Sequence, residues 1–189
     1  MEHVFLMPTC STPYKAEEPE PGPEHRLRMC QLSVAGTAGL SACALEIERG
    51  GRSYTVDTLQ AIHDDRCPDA ELTFILGADT ARTVPGWREP ERVLALARFS
   101  VAEREGIGAE DVLGTLAALG GSLPASPPGE LVGAGGPVIL EMPRMEISSS
   151  MVRRRVAQGE PVEDLVGVAV AGYIRDHGLY REAADMWAR

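Results

Sequence analysis

The stretch ISSSMVRRRV, Ile147 to Val156, puts three serines directly before an apolar pair and three arginines. These residue types suit an anion. Serine hydroxyls at a helix start, the outward N–H groups of its first turn and the positive end of the helix dipole together favour phosphate. Arg153 lies one turn in and adds a charged fork that matches phosphate oxygens. The same residues also describe a helix capped by Ser148 with solvated arginines, and taken alone that is the commoner case.

Three other stretches carry comparable options. FILGAD sets Gly77 and Asp79 at the end of an apolar run. The glycine admits a ligand close to the backbone and the aspartate can hold ribose hydroxyls, but a plain strand-end turn explains both equally well. Trp87 in VPGWREP offers a ring that can stack on a flat heterocycle, although a lone tryptophan is more often core. In GGRSYTVDT, Ser53, Tyr54 and Thr55 either make a turn and cap or present hydroxyls and N–H groups to a carboxylate. Lys15, the sole lysine among 18 basic residues, is either a surface group or one that reaches a polyphosphate.

Composition narrows the classes. The net charge of −10 disfavours nucleic-acid binding, which needs a basic surface. No apolar run reaches the roughly 18 residues of a membrane span, and MEHVFLMP lacks the basic start of a signal peptide. Cys10, Cys30, Cys43 and Cys67 have neither zinc nor disulfide spacing and read as reduced thiols of a cytoplasmic protein. His3, His25, His63 and His177 have no ligand spacing, so no protein metal site is expected. Walker A, GxGxxG, HExxH and GxSxG patterns are all absent.

The elements that must position these residues alternate. Residues 3–8, 42–49, 71–79, 98–104 and 137–142 read as strands. Residues 24–36, 53–68, 89–97, 110–121, 147–159 and 163–180 read as helices, with Gly178 as the stop of the last. Residues 105–136 are rich in glycine, proline and alanine. The order implies an α/β fold with a parallel sheet, whose ligands sit beyond the carboxyl ends of the strands. One domain over 1–180 and a polar helical tail over 181–189 are expected.

Taken together and in order, VFLMP, PYK, RLRM, EIERGGRSYTVDTL, FILGAD, the tryptophan, ISSSMVRRRV and YIRDHGLY closely resemble the bacterial nicotinate-nucleotide adenylyltransferases. The resemblance runs from about His3 to Tyr180 and is weakest near Gly106 to Gly136. It implies a Rossmann-like nucleotidyltransferase fold and transfer of AMP from ATP to nicotinate mononucleotide, giving deamido-NAD and pyrophosphate, with Mg2+. By resemblance Ser148, Ser149, Ser150 and Arg153 hold ATP phosphates and the adenosine end, and Gly77 and Asp79 contact the nucleotide. Thr55 and Trp87, with Ser53 and Tyr54 beside them, read the nicotinate carboxylate and ring. Lys15 is the basic residue of a PPHK-like loop. Ser150 replaces a more frequent threonine, and Tyr14 a histidine.

The family also opens with a central strand running into GGTFDPxHxGH, which has no counterpart after Met1. Taking that strand out of the sheet leaves a slot of about 10 Å. The reading favoured here is a start placed too far downstream, ahead of a sheet that closes up or swaps strands with a second chain, and ahead of a domain that binds without catalysing. Related acceptors such as nicotinamide mononucleotide are a further alternative, and a homo-oligomer is compatible with the sequence.

Overall fold

The computed structural model describes residues 3–12, 21–66, 68, 70–102, 109–120, 137–140 and 147–181. The chain folds into two compact units, one of Met1–Ser53 with Met145–Arg189 and one of Tyr54–Arg144.

In the first unit, β1 (Val4–Leu6) and β2 (Leu40–Ala42) pair in parallel, Val4 opposite Leu40 and Leu6 opposite Ala42. The crossover between them is α1 (Pro23–Val34). Pro23 suits its first turn, where an N–H has no helical partner. The sequence predicts a strand through residue 49, but Leu45–Arg49 is a helix, α2. Its leucine, glutamates and arginine are good helix formers, and the apparent alternation is outweighed by a C-terminal stop. There Gly50, at φ 70°, donates its N–H to the carbonyls of Glu46 and Ile47.

The last third of the chain adds α7 (Ser149–Ala157), α8 (Glu163–Val166) and α9 (Val168–Asp176), counting the second unit's four helices before them. The predicted continuous helix over 163–180 is broken at Gly167, whose φ of 79° is left-handed and cannot continue an α-helix. Gly178 ends α9 as expected. Its N–H donates to Arg175 O at 3.2 Å and that of Leu179 to Ile174 O at 3.0 Å, a paired C-terminal motif that needs the left-handed residue Gly178 supplies at φ 61°. Val152, Val162, Val170, Ala171 and Ile174 form the apolar core of this unit, flanked by Met29 and Leu32 of α1.

The second unit holds a three-stranded parallel sheet in the order β3 (Thr73–Gly77), β4 (Arg98–Ala102), β5 (Val138–Leu140). Around it lie α3 (Thr55–Ala61), continued by a π-helical turn at Ile62–Arg66, and α4 (Ala78–Ala81). A 3-10 turn at Val84–Gly86, α5 (Pro90–Leu96) and α6 (Ala109–Gly120) complete it. Central strand β4 is covered on both faces, as parallel strands generally are: Phe99, Ser100 and Val101 are at most 2% exposed. Phe99 and Val101 pack with Val56 and Leu59 of α3, Val93 and Leu94 of α5, and Val112 and Leu116 of α6. The Ser100 hydroxyl is buried there without a hydrogen-bond partner among the described residues, a feature with no evident structural reason.

Among the described residues no helix is long and apolar enough to cross a membrane. Of the sequence readings, Tyr14, Lys15, most of the Gly/Pro-rich stretch and residues 182–189 lie outside the described residues.

Candidate active site

The serine–arginine stretch is the start of α7. Ser148 is its N-cap, in extended conformation, and its hydroxyl oxygen accepts the Met151 N–H at 3.2 Å. The first intrahelical bond runs from Val152 N–H to Ser148 O. The N–H groups of Ser149 and Ser150 therefore belong to the part of the first turn that has no intrahelical acceptor. Ser148, Ser149 and Ser150 are all exposed. Arg153 folds back along the helix and donates from Nε to Ser149 O at 3.3 Å. Capping and anion binding are thus compatible here, because the cap uses one serine oxygen and leaves two amides and three hydroxyl protons at one helix end.

Two residues without an assigned role in the sequence belong to this neighbourhood. The phenol of Tyr180, whose backbone φ is 65°, feels the positive charges of both Arg153 and Arg26. Arg26 donates to Cys10 O at 2.9 Å, to Thr9 Oγ1 at 3.5 Å and to Pro21 O at 3.3 Å, so its fork ties residues on both sides of the Lys15 segment. Arg26 has no local signal in the sequence beyond its place in RLRM. Tyr180 closes DHGLY, and that motif is its only signal.

Burial pushes the Tyr180 phenol above its ordinary range, and the two arginines pull it partly back. A phenol raised in this way stays protonated in the folded chain where the unfolded chain has lost its proton. Its contribution to stability is complete below about pH 10 and is lost as pH rises through the folded value. Tyr180→Phe is expected to flatten that alkaline loss. Urea midpoints measured between about pH 9 and pH 11 should fall less in the variant than in the parent chain.

The second unit carries the remaining candidates. Gly77 ends β3 and leads directly into α4, and a β-carbon at Gly77 would lie 2.5 Å from Asp79 Oδ1. The Asp79 carboxylate turns back over the strand end, and a side chain at Gly77 would have to move it aside. Asp79 itself is exposed. Trp87 is half-buried. Its ring meets Phe74 edge-on at 6.1 Å, and its indole N–H donates to Thr83 Oγ1 at 2.9 Å. Tyr54, half-buried against the same core, is the N-cap of α3 and Thr55 is its first residue. The sequence offers Ser53 or Thr55 as that cap, but no side chain caps α3. The Ser53 hydroxyl instead accepts the Cys10 N–H at 3.1 Å, and the Ser53 N–H donates to Ser11 O at 2.8 Å.

The structure therefore groups Ser148, Ser149, Ser150 and Arg153 in one unit, with Ser53, and Tyr54, Thr55, Gly77, Asp79 and Trp87 in the other. Among the described residues no cluster of three His, Cys, Asp or Glu side chains is placed to hold a metal ion.

Known proteins resemble this chain over most of its length. Residues 2–155 match the cytidylyltransferase-like family model. A protein of Roseiflexus sp. (strain RS-1), named probable nicotinate-nucleotide adenylyltransferase, is 39% identical over 181 residues, covering 96% of this chain and 84% of the relative. One of the same name from Desulfitobacterium hafniense (strain Y51) is 36% identical over 181 residues, covering 96% of this chain and 82% of the relative. Two structures of the Plasmodium falciparum nicotinic acid mononucleotide adenylyltransferase, complexed with APC and with NaAD, align with TM-scores of 0.66 and 0.67. They are 16% and 17% identical and cover 95% of this chain and 83% of theirs, a likeness that establishes the Rossmann-like nucleotidyltransferase fold. With the parallel α/β sheets, the serine-capped α7 and the Trp87 loop all in place, this chain belongs to the nicotinate-nucleotide adenylyltransferases of the cytidylyltransferase-like family.

Proposed function

We propose that this chain transfers the adenylyl group of ATP to nicotinate mononucleotide, forming deamido-NAD and releasing pyrophosphate, a step of NAD biosynthesis. A phosphate oxygen of the mononucleotide forms a bond to the α-phosphorus of ATP, and the bond to the pyrophosphate oxygen breaks with its electron pair leaving on pyrophosphate. No protein nucleophile is needed. The protein's part is positioning and stabilisation of charge on the phosphoryl oxygens.

Each role has its residues. The Ser149 and Ser150 amides, the serine hydroxyls and the Arg153 guanidinium hold ATP phosphates, with Lys15 as a second cation. Gly77 and Asp79 take the nucleoside. Trp87 stacks on the pyridine ring, Thr55 presents its hydroxyl to the ring carboxylate, and Tyr54 walls the same pocket. Ser53 fixes the segment ahead of Tyr54 through Cys10 and Ser11. ATP enters with magnesium on its triphosphate as the substrate complex.

The observation that carries the acceptor is that Tyr54, Thr55 and Trp87, 32 positions apart in sequence from Thr55 to Trp87, belong to one packed unit whose core both aromatic rings touch. Free thiols at Cys10, Cys30 and Cys43 and the use of ATP support a cytoplasmic setting, and the charge of −10 supports small-molecule partners over nucleic acid. A fluorescence titration tests the acceptor directly. Nicotinate mononucleotide should quench the tryptophan emission saturably, and nicotinamide mononucleotide should need a higher concentration. Equal quenching by both, or quenching that survives Trp87→Phe, would remove Trp87 and its neighbours from the acceptor site.

A further inference from the structure

We propose that Arg88 is a positioning residue of the acceptor pocket, the tie that fastens the Trp87 loop to the first turn of α3. The inference rests on the reading of Trp87 and Thr55 as acceptor contacts.

Four observations converge on Arg88. Its guanidinium carbon stands 4.9 Å from the centre of the Tyr54 ring, within cation–π range. Its Nη1 donates to Asp57 Oδ2 at 3.2 Å. Tyr54 and Asp57 lie three residues apart, on one side of the helix start that also carries Thr55. Arg88 is bonded directly to Trp87 in the chain, so both contacts draw the tryptophan's backbone toward that turn.

The tie continues on its other side. Arg88 Nε lies 3.6 Å from Glu89 Oε1, and Arg92 Nη1 donates to Glu89 Oε2 at 3.0 Å. Arg92 Nη2 in turn donates to Gln60 Oε1 at 3.0 Å, three residues beyond Asp57 on α3. Asp57, Arg88, Glu89, Arg92 and Gln60 thus form a polar chain joining α3 to the start of α5. Glu89 takes its place in that chain with a left-handed backbone, φ 51°, a conformation that a side chain disfavours. Its carboxylate is held between two arginines, and its carbonyl accepts the N–H groups of Arg92 and Val93, both at 3.0 Å, which together keep it there.

These groups are solvent-exposed, with side-chain exposures of 50% for Arg88 and 43% for Asp57. Exposed ion pairs contribute little to global stability. A row of them beginning at the residue next to the tryptophan is better suited to fixing a loop than to holding the fold.

The test compares Arg88→Ala and Arg88→Lys with the parent chain, all in a Trp187→Phe background so that emission reports Trp87. Arg88→Ala should raise the acceptor KM about five- to tenfold while changing the ATP KM and kcat less than about twofold. Arg88→Lys, which keeps the cation over Tyr54 but loses the fork, should fall between. Without any substrate, Arg88→Ala should also increase acrylamide quenching of Trp87, with thermal unfolding unchanged within about 2 °C. Unchanged quenching together with an unchanged acceptor KM overturns the proposal, as does an equal rise in both KM values. If the parent chain shows no acceptor-dependent turnover, it is the acceptor reading that fails, and the quenching comparison alone then decides whether Arg88 positions Trp87.

Discussion

Arg153→Ala is expected to lower kcat/KM for ATP by about 10²- to 10³-fold, the range found when one preorganised charge-stabilising donor is removed from a site. Arg153 is the cation that the fold brings back onto the first turn of α7, through its bond to Ser149 O. Charge on the phosphoryl oxygens grows during the displacement, so an arginine held at that helix end gains more in the transition state than in the ground state. Folding should suffer far less, by about 1 kcal/mol or under, because Arg153 is only half-buried and its helix is held by Val152 and its partners. Steady-state kinetics with ATP varied, beside a urea melt, separate the two effects. Arg153→Lys should recover part of the loss, since it restores the charge without the fork. An ATP dependence unchanged in the alanine variant would take Arg153 out of the site.

Phe99→Ala is expected to destabilise the second unit by about 3–5 kcal/mol, a large share of the roughly 5–15 kcal/mol that holds a typical domain. Phe99 is 2% exposed in the central strand and meets the Phe74 ring at 5.6 Å. Phe74 in turn carries the Trp87 ring. Truncation removes the transfer energy of the ring and leaves a cavity bounded by α3, α5 and α6 side chains that are themselves buried. It should also loosen the floor beneath Trp87, so that acceptor binding weakens even where the unit stays folded. Phe99→Leu, closer in volume, should lose under about half as much. Urea unfolding followed by tryptophan emission reads both. A loss below about 1 kcal/mol for the alanine variant would mean that β4 is not packed as described.

Much of the fold is legible in the sequence because its signals are local. FIL is an apolar run and FSV pairs an aromatic with a β-branched residue, and they form the middles of β3 and β4. Gly178 after an apolar helical pattern is a stop with a mechanism, and it works as one. The misreadings have local causes too. Alternation over only a few residues in LEIER imitates a strand, while Gly50 is in place to close a helix. Gly167 sits inside an otherwise good helical pattern that would tolerate a glycine, yet its left-handed backbone divides α8 from α9.

The site divides in the same way. The serine cap at Ser148 follows from residue type and position, so the sequence points to it directly. Arg26, Arg88 and Tyr180 do not announce themselves. Arg26 reaches Cys10 across 16 positions and Arg88 reaches Asp57 across 31, and only the folded chain makes those distances short. Ser53 illustrates the converse. Its type and place suggest a helix cap, and tertiary structure engages its hydroxyl oxygen with the Cys10 N–H instead.

If this chain joins ATP to the nicotinate form of the mononucleotide, pyrophosphate release by the purified chain with MgATP should depend on which acceptor is supplied. One series holds nicotinate mononucleotide and the other nicotinamide mononucleotide. Release should require the nicotinate form, matched mole for mole by deamido-NAD, and should be much slower with the nicotinamide form. No release from a folded chain given nicotinate mononucleotide, or equal release with both acceptors, would contradict the proposed reaction.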